Sequence, residues 1–118
     1  MALSLDLEQQ PTYWHLSLSG DLDYGECSRF RMSIDRILRS EMLSALVDLS
    51  GLQYIDSSGI GLLLSMSKQY TQVGGCLVLV TNAAVDGVLS IAGIGRVFVT
   101  TPTVEEALLI LTQETPAP

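Results

Sequence analysis

From Ser44 onward the sequence changes its period three times over. The runs SALVDLS (Ser44 to Ser50), CLVLV and VFVT each give way to a stretch whose apolar residues recur at helical spacing. A short apolar run bounded by turn residues fits a buried strand, and a three-to-four spacing fits a helix with one buried face. Strands that alternate with helices lie parallel, and the crossovers that join them are nearly always right-handed. This order restricts the second half of the chain to an α/β sheet.

The helical stretches can be read in detail. One over 58–72 puts Ile60, Leu63, Leu64, Ser67 and Tyr70 on one face and stops at Gly74 and Gly75, residues that suit a helix end. TNAAVDGVLSIAGIG predicts a short helix with Val85, Val88, Leu89 and Ile91 inward, closed by AGIGR. Thr103 and Glu106 form the pattern of a capping box before a last helix over 104–113. The front of the chain has a different period. Leu3, Leu5 and Leu7 alternate with polar residues, QQPT breaks the pattern, and Trp14, Leu16 and Leu18 resume it, which predicts a β-hairpin over 2–19 ended by Gly20. Cys27, Phe30, Ile34, Ile37 and Leu38 then mark an amphipathic helix of about 14 residues. An antiparallel hairpin joined to parallel strands makes the sheet mixed.

With 47% hydrophobic and 16% charged residues in 118, the chain has enough apolar surface for one core. We expect one domain over 1–113 and a loose tail, ETPAP, over 114–118. Its longest apolar runs, Cys76 to Val80 and Ala107 to Leu111, fall far short of the roughly 20 residues that span a bilayer. MALSLDLEQQ has no basic residue ahead of its apolar ones, unlike a signal peptide, so the expected location is cytoplasmic. Cys27 and Cys76 lack metal-site spacing and read as packing residues. A formal charge of −7 argues against nucleic acid and anionic lipid as partners. Arg29, Arg31, Arg36 and Arg39 depart from that balance; partner contacts are one reading of them, but Asp35 lies four residues from both Arg31 and Arg39, which favours helix ion pairs on a solvated face.

IDSSGIG, Ile55 to Gly61, sits where a strand-like run meets a helix-like one. Asp56 or Ser57 suits a helix cap there, and the carboxyl end of a strand in an α/β sheet is where ligands and chemistry gather, so the serines should stand exposed on a rim. A hydrolase nucleophile would need the G-x-S-x-G elbow and a general base. The position two before either serine is Ile55 or Asp56, and the one histidine, His15, falls on the polar side of a strand. Gly59 and Gly61 complete no phosphate-cradling motif, and the acids have no metal-ligand spacing. A modification site remains: a hydroxyl at a helix start can carry a phosphate, and that role is compatible with capping.

The segment DLSGLQYIDSSGIGLLL resembles the phosphorylation segment of the STAS family, in particular the bacterial anti-sigma factor antagonists. SGDLDYGECSRFRMSI resembles the family's S-G-E-L-D segment and first helix, with Asp21 in place of the usual Glu. GGCLVLV, the V-x-x-V-L-x-x-x-G-I run from Val85 to Ile94, and VEEALLIL fall where the family has its other elements, so the resemblance covers nearly the whole chain. It implies a mixed sheet of four to five strands with about four helices packed mainly on one side.

The resemblance also implies a function. In such antagonists the unphosphorylated protein binds an anti-sigma factor that is also a serine kinase of the histidine-kinase-like ATPase fold, which frees a sigma factor. The kinase uses ATP and Mg²⁺ to phosphorylate the leading serine, the antagonist lets go, and a PP2C-type phosphatase restores it. On the matching positions the acceptor is Ser57, with Ser58 as the alternative. Asp56, Ser58 and Gly59 would shape the loop. Asp21, Asp23 and the exposed side of the 58–72 helix, beginning at Ile60, would join the partner surface. No catalytic residue, cofactor or metal is expected. Because the family also contains stressosome subunits, anion-transporter tails and lipid-transport partners, a ligand-sensing or scaffold module without a phosphoswitch is the alternative.

Overall fold

The computed structural model describes residues 2–114, the last of them by its backbone alone. The strands are β1 (Ser4–Gln9), β2 (Trp14–Leu22), β3 (Ser44–Ile55), β4 (Cys76–Val80) and β5 (Val99–Thr101). The helices are α1 (Cys27–Arg39), α2 (Ser57–Gln72), α3 (Ala83–Ile91) and α4 (Val104–Glu114), with a single 3-10 turn, Tyr24–Glu26, ahead of α1. The expected tail overlaps α4 at Glu114, and its remaining residues lie outside those described.

The sheet order is β1-β2-β3-β4-β5, with β1 antiparallel to β2 and each later pair parallel. Each new strand is added on the same side of its predecessor, so right-handed crossovers carry α1, α2 and α3 to one face of the sheet. On that face Leu16, Leu18, Ala45, Val47, Leu49 and Leu79 meet Phe30, Ile37, Leu63 and Met66 in the main core. Only α4 covers the other face, where Ala107 and Leu111 pack on Leu46, Val78 and Val80. The mixed sheet, the front hairpin and the helices mainly on one side agree with the expected architecture.

Several boundaries differ from the sequence reading. Gly20 does not end β2 but lies inside it, buried, at φ +90°. A Cβ there would sit 2.3 Å from the Ala2 carbonyl oxygen, so glycine is needed for close strand approach. The third strand continues past Ser50 to Ile55. Its pairing with β2 slips between Ser17 and Ser19 and again between Gly20 and Asp21, and these bulges let Leu49, Leu52 and Ile55, three residues apart, all turn into the core. The side chain of Asn82 braces this irregular end, donating to the carbonyls of Ser50 (3.0 Å) and Leu52 (2.8 Å) while accepting the Val85 amide (2.8 Å) as cap of α3.

The last strand is Val99–Thr101 rather than Val97 to Thr100. Ile91 faces water at 91% exposure, because at 100° per residue it lies about 200° around α3 from buried Leu89. The ion pairs expected of Asp35 with Arg31 and Arg39 are not formed within 4 Å; among the described residues Arg29–Glu26, 3.3 Å, is the ion pair that α1 makes. Arg36 instead lies over the Trp14 ring, 5.6 Å from its centroid.

Candidate functional site

β3 leaves the sheet at Ile55 and α2 begins at Ser57, so Asp56 is the junction. Its extended backbone (φ −103°, ψ −177°) is the usual geometry of an N-cap. One carboxylate oxygen, Oδ1, accepts the amides of Ser58 (3.0 Å) and Gly59 (3.2 Å). The other, Oδ2, accepts the amide of Tyr24 from 32 residues away at 3.0 Å, and the Asp56 amide donates to the Leu22 carbonyl at 3.2 Å. One side chain therefore caps α2 and fastens the β2–α1 turn to it. The cap is Asp56, which makes Ser57 the first residue of the helix.

Ser57 is exposed and Ser58 half-buried. Asp56 takes the Ser58 and Gly59 amides and Leu22 takes that of Asp56, so of the donors at this helix start the Ser57 amide is left over. Gly59 is buried: a Cβ would meet Leu22 Cγ at 2.8 Å and Ile55 Cγ1 at 3.0 Å, so its bare backbone is what lets α2 approach β2 and β3. Gly61 differs, since a Cβ there would have nothing within 4 Å. Ile60 is half-buried against the core. Asp21 and Asp23, both half-buried, flank Leu22, the residue that packs on Gly59. Asp23 opens the turn before α1, where its carbonyl accepts the Glu26 amide at 3.0 Å.

The structure thus gathers Asp21, Asp23, Asp56, Ser57 and Ser58 at the carboxyl ends of the interior strands β2 and β3, along one edge of the molecule. It adds residues that the sequence reading did not place there. A groove of about 470 Å³ runs between α1 and α2, with Tyr24, Cys27 and Arg31 on one wall and Ser57, Ser58 and Gly61 on the other. Tyr24 is 81% exposed at its rim. Burial pushes the Cys27 thiol upward, Asp56 and Asp23 push it further, and Arg31 opposes them. The spacing 24, 27, 31 lies along one helical face, but nothing local in the sequence announces that this face meets α2. The link is the Asp56–Tyr24 bond. His15 sits on β2 beside the ring of Tyr13, outside this cluster. Among the described residues no group of three His, Cys, Asp or Glu could hold a metal, and no helix is long and apolar enough to cross a membrane.

Comparison with known proteins gives this geometry a setting. Over 99 residues the chain is 29% identical to the anti-sigma F factor antagonist of Paenibacillus polymyxa, covering 82% of this chain and 85% of that protein. An anti-sigma factor antagonist from Mycobacterium paratuberculosis superposes with a TM-score of 0.86 at 18% identity, over 94% of this chain and 95% of that one. SpoIIAA superposes in its unphosphorylated form at TM-score 0.79 over 96% of this chain and all (100%) of its own, with 23% identity. The phosphorylated form of the Bacillus protein gives 0.72 over 92% and 99%, again at 23% identity. These solved structures share the fold. A family model, the STAS domain, matches residues 4–107, and the chain belongs to the STAS domain family.

Proposed function

We propose that this protein is an anti-sigma factor antagonist whose binding surface is switched by phosphorylation of Ser57. The observation that carries the reading is the state of Ser57 itself. It is exposed, it is first in α2, and its neighbour Asp56 relieves it of any capping duty. The relatives named above are called anti-sigma factor antagonists, and SpoIIAA has been solved with and without phosphate.

Unmodified, the edge formed by Asp21, Asp23, Tyr24 and the start of α2 docks on an anti-sigma factor and so releases a sigma factor. The anti-sigma factor, acting as a serine kinase of the histidine-kinase-like ATPase fold with ATP and Mg²⁺, then modifies its own binding partner. The Ser57 hydroxyl oxygen attacks the γ-phosphorus, the bond to the β–γ bridging oxygen breaks, ADP leaves and the hydroxyl proton passes to the kinase. The product carries roughly −1.5 to −2 more charge. The leftover Ser57 amide and the helix dipole accommodate it, at about 0.3–1 kcal/mol for an exposed site, so the fold survives while the surface met by the partner changes. A PP2C-type phosphatase removes the group. Peptide mass spectrometry after treatment with the anti-sigma kinase tests this: one phosphate on Ser57, none in Ser57→Ala. Phosphate on Ser58 alone, or on neither serine, refutes the assignment.

A further inference from the structure

We propose that Arg31 is the internal counter-ion of the phosphate on Ser57, and that the modified serine closes the α1–α2 groove by bridging to it. The inference rests on Ser57 as phosphoacceptor and adds the residue that receives the phosphate. Arg31 and Ser57 stand on opposite walls of the same groove. Gly61, one turn after Ser57, lines the same groove, and a Cβ there would meet nothing within 4 Å, so the α2 wall leaves open space. Helical side chains lean toward the helix N-terminus, which favours an Arg31 guanidinium directed toward the end of α1 that the Asp56–Tyr24 bond fastens to the start of α2.

The charge on Arg31 is uncommitted. Arg29 is held by the Leu3 carbonyl at 2.6 Å and by Glu26 at 3.3 Å, and Arg36 stacks over Trp14. Arg31 is exposed and makes no ion pair within 4 Å among the described residues, although Asp35 stands one turn along. The other charged or titratable groups at this edge are Asp21, Asp23, Asp35, Asp56, the Tyr24 hydroxyl and the Cys27 thiol. Of these, Asp56 already spends both carboxylate oxygens on backbone amides. A phosphate dianion on Ser57 would then be the strongest acceptor lining this groove for a planar, bidentate donor. Bridging would fill the groove from within, so that release of the partner would follow from loss of a docking surface as well as from added charge.

Phosphoserine placed at position 57 during translation, by genetic encoding, makes the test independent of any kinase. Titrated by phosphorus NMR, the wild-type phosphate should become a dianion about 0.5 pH unit below that of Arg31→Gln, the discount reflecting solvent exposure. Arg31→Lys should fall between them. Arg39→Gln, which removes an arginine farther along α1 that makes no ion pair within 4 Å among the described residues, should match wild type. Identical titrations for wild type and Arg31→Gln, or an equal change in Arg39→Gln, would overturn the proposal. The unfolding midpoint of unmodified Arg31→Gln should equal wild type, which separates lost charge from lost fold. Absence of kinase labelling at Ser57 would instead refute the phosphoacceptor reading, so the two failures are distinguishable.

Discussion

Asp56 does two structural jobs with one carboxylate, and they can be separated. Asn at this position still caps, because its carbonyl oxygen accepts the Ser58 and Gly59 amides, but its amide nitrogen cannot accept from Tyr24. In urea unfolding, Asp56→Ala should cost about 2 kcal/mol and Asp56→Asn about 1 kcal/mol. Equal costs would mean that the tie to Tyr24 contributes nothing. The glycines of the motif separate in the same way. Gly59→Ala drives a methyl group into Leu22 and Ile55 and should destabilise by about 1–3 kcal/mol. Gly61→Ala meets nothing and should stabilise α2 by about 0.5–1 kcal/mol, while narrowing the groove and weakening partner binding. An equal loss of stability in both variants would contradict this division of roles.

At the scale of elements, the strand that delivers the site was only half legible in the sequence. Ala45, Leu46 and Val47 form a recognisable apolar run, yet Leu49, Leu52 and Ile55 are spaced by three, which departs from the period of two of a regular strand and reads locally as helical. Bulges against β2 produce that spacing, and a bulge depends on the partner strand, so no local pattern reports it. Gly20 misleads for a related reason, since a buried φ of +90° inside a strand looks like a turn until Ala2 is seen against it. The site itself was legible as far as Asp56, Ser57 and Ser58, because capping is local chemistry. Tyr24 was not, and Arg31 only as one of four candidate contacts, because their place beside α2 depends on a bond across 32 residues. The bulged end of β3 depends on Asn82 for its carbonyl partners. Asn82→Ala removes those bonds and the α3 cap together, and should cost about 2–3 kcal/mol. Hydrogen exchange should then speed up over residues 50–55 more than in β1, and uniform acceleration across the sheet would argue against a local brace.

For the molecule as a whole, two buried groups contribute to the alkaline side of the stability curve. Burial raises the pKa of both Cys27 and Tyr70, and the Tyr70 hydroxyl has no hydrogen-bond partner among the described residues. Each is neutral when protonated, so the folded state holds these protons more tightly than the unfolded chain does. Their contribution is fully present below the unfolded values, about 8.5 for Cys and 10 for Tyr, and is lost as pH rises through the folded ones. The urea midpoint should therefore fall above about pH 9, and Cys27→Ala should remove the earlier part of that fall. A midpoint that rises between about pH 9 and 11 would contradict the burial of both groups.

At the same scale, the proposed switch would need only a local change. α1, α2 and α3 pack on one face of the open sheet and α4 on the other, so a phosphate on Ser57 would act at the surface without rearranging the fold. The most direct measurement is calorimetric titration of the anti-sigma partner with unmodified protein and with protein carrying phosphoserine at position 57. The account predicts tight binding of the first and at least about tenfold weaker binding of the second, with both forms sharing one circular dichroism spectrum. Equal affinity of the two forms would contradict it.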